Sequence, residues 1–406
     1  MKSLKQFAFV AALLSMLAAC GGGSSSSSSS STGSGSGSSA SNTVAVVVDS
    51  GPAAAGSTVN EAFVSVTLCS PSSPTTCQTI DHILVDTGSY GLRILSSVLS
   101  SSLGLPLETD SSGNAYAECT TFVDGYSWGP IRTANLQIGG ESAVSLPIQV
   151  IGEADFANMV PAACSSTGTS ENTVSTFGAN GVIGIGAFAQ DCGTACVQGT
   201  GPGLYYACAN SCVETTIALA DQVPNPITMF ATDNNGSSLS FPSVPAGGTA
   251  NLAGTLTFGI GTRSNNALGS ATVYTTDDYG YITTQYKGNT LSDSFIDSGS
   301  NGYFFTDSSI AQCSDGSGFY CPASDLSLSA VNVGHNGNSG TVSFTIGNTS
   351  TMLNSNPNST AFSELGGTNG DPSSFDWGLP FFFGRTVYTG IEGYTNSGAT
   401  GPYFAY

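Results

Sequence analysis

The chain has 406 residues and carries 27 Asp and Glu side chains against 7 Lys and Arg, a formal net charge of −20 at neutral pH. So acidic a protein is repelled by the phosphates of nucleic acid, which is therefore excluded as a partner. The length exceeds that of one ordinary domain and predicts two.

Residues 1–20 are predicted to be a bacterial export signal. Lys2 and Lys5 precede an apolar stretch over residues 7–17, which is too short to span a bilayer. Small residues then lead directly to Cys20, as at a lipoprotein processing site where Cys20 receives the lipid. Simple secretion after nearby cleavage is the alternative. We expect an exported protein that is lipid-anchored in the cell envelope, with the outer membrane favoured because no Asp follows Cys20.

The segment that follows is predicted to be a tether and then a mainly β protein. Residues 21–43 are rich in Gly and Ser, the composition of a flexible linker. From residue 44 onward, short β-prone runs alternate with Gly, Ser, Asn and Pro, and long helical periodicity is absent. We predict an N-terminal lobe over 44–232 and a C-terminal lobe over 233–406. Brief helices are expected at 96–102, 214–222 and 306–313.

Two apolar runs stop at the same tetrapeptide pattern, Asp-Thr/Ser-Gly-Ser, at residues 83–89 and 295–300. If the two loops meet in one cleft, Asp86 and Asp297 cannot both ionise easily, so one holds a proton. Such a pair can take a proton from water while donating another to a carbonyl, which is the chemistry of amide hydrolysis. The Gly permits a sharp reversal and the hydroxyls orient the carboxylates. The predicted supporting residues are Thr87, Gly88, Ser89, Ser298, Gly299 and Ser300.

An ordinary structural role for both motifs is the alternative, because turns favour Asp, Ser and Gly. A third Asp-Ser-Gly occurs at Asp49, after a β-prone run. Pro52 stands there in place of the hydroxyl residue, so we interpret this copy as a strand end and turn.

Three further segments accompany the paired motifs. Residues 122–129 contain Asp-Gly between β-prone residues, a hairpin signal. Residues 180–186 and 377–388 each join apolar residues to Gly.

With these motifs the chain resembles the pepsin-like aspartic peptidases over most of its length after the first forty or so residues. The resemblance implies a bilobal double β-barrel with a central cleft and few short helices. It implies that 180–186 and 377–388 thread beside the two Asp loops, that 256–259 opens the second lobe, and that 122–129 is the flap that closes over substrate. The implied flap positions are Phe122, Asp124, Gly125 and Tyr126. The chain also resembles Gly- and Cys-rich bacterial lipoproteins with the same double motif.

Departures from the family pattern fall close to the expected cleft. The family usually has Tyr where Phe122 stands, so the flap hydroxyl would have to come from Tyr126. Residues 90–93 are Tyr-Gly-Leu-Arg instead of Ser-Asn-Leu-Trp, and an inward-pointing Arg93 would alter the pKa values of the dyad. The family's Gly-Asp step is replaced by Gly-Leu-Pro at 378–380.

Cysteine usage predicts disulfides. Of the eleven Cys residues, all except Cys20 are expected to pair in an oxidising compartment. Local bridges are expected for Cys69 with Cys77 and for Cys313 with Cys321, and Cys119 with Cys164 would tie the flap strand to its lobe. The remaining four residues could nest as two bridges joining neighbouring segments or bind zinc; they are Cys192, Cys196, Cys208 and Cys212.

The sequence as a whole predicts an aspartic endopeptidase that acts on a peptide or protein substrate as a monomer, without a metal or cofactor. A Ser-His-Asp triad is disfavoured because the chain has two His residues and no convincing nucleophile elbow. The rival interpretation is a catalytically silent lipoprotein of the same fold that binds peptide or glycan or acts as a surface interaction module.

Overall fold

The computed structural model describes residues 42–123, 125–200, 203–396 and 398–406. The predicted signal, Cys20 and all but the end of the predicted tether lie outside these residues, as does Asp124. Asn42 is buried and its amide donates to the carbonyl of Phe258 at 2.7 Å. The first strand begins at Thr43, so the folded region starts slightly before the predicted boundary.

The strands of the first half are mostly long and follow one another closely. They are β1 (Thr43–Val48), β2 (Ala62–Ser70), β3 (Ser73–Asp86), β4 (Tyr90–Leu95), β5 (Ala115–Thr121), β6 (Gly125–Ile138), β7 (Glu141–Ile151), β8 (Thr169–Ser170), β9 (Gly181–Ile185), β10 (Tyr205–Cys208) and β11 (Cys212–Glu214).

The second half contains more and shorter strands. They are β12 (Gly236–Ser240), β13 (Leu252–Phe258), β14 (Val273–Thr275), β15 (Ile282–Tyr286), β16 (Asn289–Ile296), β17 (Tyr303–Phe305), β18 (Leu326–Val333), β19 (Ser339–Ile346), β20 (Gly366–Gly367), β21 (Phe375–Trp377), β22 (Thr386–Gly390), β23 (Thr395–Asn396), β24 (Ala399–Thr400) and β25 (Tyr403–Ala405).

Helices are few and short, as expected. The α-helices in the described residues are α1 (Ala162–Ser165), α2 (Val174–Phe177), α3 (Thr194–Gln198) and α4 (Thr349–Ser355). The 3-10 turns are Ala53–Ala55, Ser96–Val98, Ser101–Leu103, Ala154–Met159, Leu219–Asp221, Pro226–Met229 and Leu379–Phe382. None of the described helices is long and apolar enough to cross a membrane.

Of the three predicted helical segments, one is helical over most of its length, one only in part and one not at all. The predicted segment at 96–102 forms two 3-10 turns, whereas only Leu219–Asp221 is helical within 214–222. The segment 306–313 is not helical. There the Asp307 side chain accepts the Ser309 backbone N–H at 2.9 Å, and this local bond favours a turn over a helix.

Within the described residues, a 16-stranded sheet and a 7-stranded sheet contain most of the strands. The large sheet runs β11-β10-β5-β6-β7-β4-β9-β3-β2-β1-β13-β12-β22-β25-β14, with β8 beside β6, and so joins strands of both halves. The smaller sheet runs β19-β18-β15-β16-β21-β17-β20. Strand β1 links the halves directly by pairing antiparallel with β13.

Both halves repeat one local arrangement that positions the candidate site. Strand β3 pairs in parallel with β9, and β16 pairs in parallel with β21. Each Asp motif lies at the end of the first strand of such a pair. Parallel pairing requires a long connection between partners, which is why 180–186 and 377–388 follow their motifs at a distance.

Alternating burial explains why these segments form sheets. In β2, Val64, Val66 and Leu68 are buried while Ser65 is exposed, the period of a strand with one face on a core. One apolar cluster includes Val85 and Ile296, the residues just before the two motif aspartates. Burying each such side chain contributes about 1.5–3 kcal/mol, so packing holds both Asp loops in place.

Ten cysteines form five disulfides, which join Cys69 with Cys77, Cys119 with Cys164, Cys192 with Cys196, Cys208 with Cys212, and Cys313 with Cys321. The three specific pairs expected from the sequence are therefore present. The nested pairing of the remaining four was wrong, and so was the zinc alternative. Cys208 and Cys212 face each other across the β10–β11 hairpin, which brings the two close enough to pair locally.

Candidate active site

The two Asp loops interlock through their second residues. Thr87 Oγ donates to the carbonyl of Ile296 at 3.1 Å and accepts the backbone N–H of Ser298 at 2.9 Å. Ser298 Oγ donates to the carbonyl of Val85 at 2.7 Å and accepts the backbone N–H of Thr87 at 3.1 Å. Both hydroxyl residues are buried. Each loop therefore satisfies polar groups of the other, which fixes their relative position.

The same symmetry holds for the carboxylates. Asp86 Oδ1 accepts the backbone N–H of Gly88 at 2.7 Å, and Asp297 Oδ1 accepts that of Gly299 at 2.7 Å. Ser89 Oγ donates to Asp86 Oδ2, and Ser300 Oγ donates to Asp297 Oδ2 at 3.1 Å. All six residues predicted to support the dyad thus contact it or lock its loops.

Glycine at two positions lets the carboxyls approach. A β-carbon at position 88 would lie 2.6 Å from Asp297 Cγ, and one at position 299 would lie 2.7 Å from Asp86 Oδ1. Those distances are too short for any side chain. The β-carbon at position 299 would also lie 3.2 Å from Asp297 Oδ1, so the structure brings the Asp86 and Asp297 carboxyls into one site.

Burial and charge together keep a proton on this pair. The pKa of Asp297 is raised well above its usual range, first by burial and then by the neighbouring carboxyls of Asp86 and Asp376. Two carboxyls that share a site titrate as a unit, with one protonated over a wide pH range. The geometry therefore provides an acid and a base side by side.

A cavity opens beside the dyad. Its apolar wall includes Phe122, Val123, Phe177, Leu84 and Val182. The remaining lining residues are polar or small: Glu61, Asp86, Glu171, Asp297, Gly299, Ser300 and Asn301. The apolar wall can exclude water, which strengthens electrostatic interactions within the site.

The predicted flap is a hairpin between β5 and β6. Thr121 pairs with Tyr126, and the Phe122 N–H donates to the Gly125 carbonyl at 2.8 Å. Phe122 and Val123 at its tip line the cavity, and the Phe122 ring meets the Phe177 ring edge-on at 5.5 Å.

Tyr126 does not serve as the flap hydroxyl. It is 8% exposed and packs in a separate cluster with Cys119 and Trp128. Its side chain alternates away from the cavity because successive strand residues point to opposite faces. Gly125 is required for a different reason, since a β-carbon there would collide with the carbonyl of Thr169.

Arg93 does not point toward the dyad either. Its side chain is 1% exposed and pairs with Glu118 through both Nε and Nη2, with Asp191 lying 3.1 Å from Nη2. The condition under which Arg93 would alter the dyad's pKa values, an inward orientation, is therefore not met. Two buried carboxylates on the neighbouring segments attract the guanidinium into the lobe interior.

Sequence reasoning missed three carboxyl residues near the dyad. Glu61 and Glu171 line the cavity, and the pKa of Asp297 responds to Asp376. Nothing in the sequence around Glu61 or Glu171 distinguishes them from surface residues. Asp376 did carry a signal, because this charged residue stands between Phe375 and Trp377, immediately before the segment 377–388 that was expected to thread beside the second Asp loop.

Within the described ranges, His, Cys, Asp and Glu side chains form no group of three or more that could hold a metal ion. The third Asp-Ser-Gly copy also stands apart from the dyad. Asp49 Oδ1 accepts the Gly51 N–H at 2.9 Å, as in the motif loops, but its other oxygen faces His82 at 3.3 Å.

Two similar Asp loops, locked together at the centre of a mainly β molecule, define the class of pepsin-like folds. The chain belongs to the family described as Protein of unknown function (DUF3443), which matches residues 38–406.

A solved structure agrees with that class. The structure of the aspartic proteinase from Irpex lacteus is similar with a TM-score of 0.50 and 16% sequence identity, over 89% of this chain and 96% of that one. No curated protein sequence matches the chain. Likeness at this identity shows the fold, a bilobal double β-barrel with a central cleft, as the sequence predicted.

Proposed function

We propose that the chain is an aspartic endopeptidase. The observation that carries the proposal is the adjacent pair of carboxyls, Asp86 and Asp297, on interlocked loops. A non-enzymatic protein of this fold has no need to bury two carboxyls in contact, because that arrangement costs free energy unless a proton is shared.

The proposed reaction uses the two carboxyls in different protonation states. Ionised Asp86 takes a proton from a water held between the pair, and the water oxygen attacks the peptide carbonyl carbon. Protonated Asp297 donates its proton to the carbonyl oxygen as the tetrahedral intermediate forms. That proton balance needs no metal or cofactor. The amine then leaves with a proton returned by the dyad.

Substrate would bind as an extended peptide beneath the tip of the flap. Phe122 and Val123 would cover it, and Phe177 would form part of the same apolar wall. In this proposal the lobe over 44–232 supplies Asp86 and the flap, and the lobe over 233–406 supplies Asp297. Residues 1–20 would direct export, and a lipid on Cys20 would anchor the monomer in the bacterial cell envelope.

Cleavage of a denatured protein between about pH 3 and 7 tests the function, because a dyad of this kind works while it holds one proton. We expect cleavage that a statine-type inhibitor blocks. Cleavage unaffected by the inhibitor would contradict the dyad mechanism. Tight peptide binding without cleavage would support the silent binding protein instead.

Shortening the flap tip is expected to weaken catalysis. Phe122→Ala removes an aromatic ring from the cavity wall, together with the contact between that ring and Phe177. The lost packing should lower kcat/KM about tenfold. Steady-state kinetics on a peptide measure the loss. Val144→Ala is the control, since Val144 is 67% exposed and outside the cavity lining, and should leave kcat/KM unchanged. Equal kinetics for both variants would contradict the flap assignment.

A further inference from the structure

Asp376, the middle residue of β21, is a third carboxyl beside the dyad. It lies opposite Phe295 in the parallel pair with β16, and the next residue, Trp377, accepts the backbone N–H of Asp297 at 3.1 Å. Asp376 is 6% exposed. Its Oδ1 is buried without a hydrogen-bond partner among the described residues. A buried carboxyl left partly unsatisfied is costly, so its presence calls for a physical reason.

The internal symmetry shows that this carboxyl is an exception. In the first half Leu84, two residues before Asp86, lies opposite Val182 on β9. In the second half Phe295, two residues before Asp297, lies opposite Asp376. An apolar β-branched residue therefore fills the equivalent position in the first half. The strand accepts Val there, so folding alone does not require Asp376.

Ser300 connects Asp376 with the dyad. Its hydroxyl donates to Asp297 Oδ2 at 3.1 Å, and its carbonyl accepts the backbone N–H of Leu379, three residues beyond Asp376, at 2.7 Å. The same hydroxyl is close enough to lower the pKa of the Asp376 carboxyl. A hydroxyl has one proton to donate. A protonated Asp376 donates to Ser300 Oγ, and the Ser300 hydroxyl then remains free to donate its own proton in the hydrogen bond to Asp297. An ionised Asp376 competes for that proton and adds a negative charge beside the pair.

The surroundings favour the protonated form. The pKa of Asp376 is raised well above its usual range, first by burial and also by the charge of Asp86, while the Ser300 hydroxyl acts in the opposite direction. The titratable groups on the elements around β21 are mostly acidic; they are Asp86, Asp297, Asp293 on β16 and Tyr303 on β17. The Arg385 guanidinium is close enough to act on Tyr303, but it is not among the groups that shift the pKa of Asp376.

We propose, as an extension that rests on the peptidase function proposed above, that Asp376 is a positioning residue: it stays protonated while the dyad works, donates to Ser300, and limits activity at high pH when it ionises. The active wild-type form then requires two protons, one on the dyad and one on Asp376. Loss of either proton stops turnover, so the alkaline limb of the pH profile lies lower than the dyad alone would set it.

The pH dependence of kcat/KM tests this role in Asp376→Asn and Asp376→Val. Asn stays neutral and can still donate to Ser300, so the alkaline limb of the kcat/KM profile of Asp376→Asn should move to higher pH. Val copies the first half of the molecule and removes both the proton and the donor. Its alkaline limb should move likewise, with kcat/KM about tenfold lower than for Asn, because the hydrogen bond that orients the Ser300 hydroxyl toward Asp297 is lost. The limb can be measured on whichever variant folds.

Asp315→Asn is the matched control, because this carboxyl is exposed and outside the cavity lining. It should reproduce the wild-type profile. Alkaline limbs that coincide for wild type, D376N and D376V would overturn the proposal, as would a Val variant as active as Asn at every pH.

Failure of the peptidase function itself would be recognised separately, as wild-type protein without Asp86-dependent cleavage. Thermal unfolding would then decide the role of Asp376. A folded-state pKa above the unfolded value means that wild type loses stability as pH rises from about 4. The thermal midpoint of Asp376→Asn minus that of wild type should therefore increase with pH, and a constant difference would overturn protonation of Asp376.

Discussion

Asp86→Asn or Asp297→Asn is expected to lower kcat/KM for peptide cleavage by about a thousandfold. An amide in place of either carboxyl removes the group that takes a proton from water or the one that gives a proton to the carbonyl, and acid–base catalysis of this kind contributes about 10²- to 10⁴-fold. The two losses should not add when the substitutions are combined, because the pair acts as a unit. Initial rates on one peptide across the acid range measure all three variants.

Stability should distinguish lost chemistry from lost folding. Asn is nearly the same size as Asp and can still accept the N–H of Gly88 or Gly299. With one carboxyl replaced by an amide, the two side chains no longer repel each other as two negative charges. Both variants should therefore unfold at or above the wild-type temperature near pH 7. Asp49→Asn is the sequence-matched control, because it alters the third Asp-Ser-Gly copy, and it should cleave at the wild-type rate. Full activity in Asp86→Asn would refute the dyad.

Arg93→Met is expected to destabilise the protein by about 3–5 kcal/mol, since it leaves two buried carboxylates without their cation. The side chains of Glu118 and Asp191 are 0% and 6% exposed, so water cannot replace the guanidinium. Urea unfolding monitored by tryptophan fluorescence measures the change, because both Trp residues are buried.

An ion pair whose cation is half-exposed provides the comparison for that loss. Lys287 is 48% exposed and lies 2.8 Å from Asp307, so Lys287→Met should change stability by less than about 1 kcal/mol. Adding Glu118→Gln to Arg93→Met should recover part of the loss, because one uncompensated charge is then removed. Equal effects of Arg93→Met and Lys287→Met would show that the buried network does not stabilise the lobe.

Patterns confined to a few residues predicted much of this protein. The alternation in β2 predicted a strand, the Asp-Gly step predicted the flap hairpin, and the spacing of Cys69 and Cys77 predicted a local bridge. The two Asp-x-Gly-Ser motifs predicted that a hydroxyl orients each carboxylate, and Ser89 and Ser300 donate to Asp86 and Asp297. Turn chemistry of this kind is set by neighbours in sequence.

The sequence-based predictions failed mainly where a side chain could adopt either of two orientations. Tyr126 could face the cavity or the lobe interior, and the register of β5 with β6 placed it inside. Arg93 could face the dyad or Glu118, and burial among acidic partners decided the second. The segment 306–313 contains residues compatible with a helix, but Asp307 engages Ser309 in a turn.

By itself, the sequence determined that this protein is mainly β, that it is rich in disulfides and that it carries two equal Asp loops. Only the tertiary structure decided that Thr87 and Ser298, separated by 211 positions, exchange hydrogen bonds and bring Asp86 against Asp297. It alone placed Asp376 opposite Phe295 and close enough to act on Asp297. Strands and turns follow from local backbone preferences, whereas contacts between distant segments depend on how whole sheets pack, and no short stretch of residues encodes that packing.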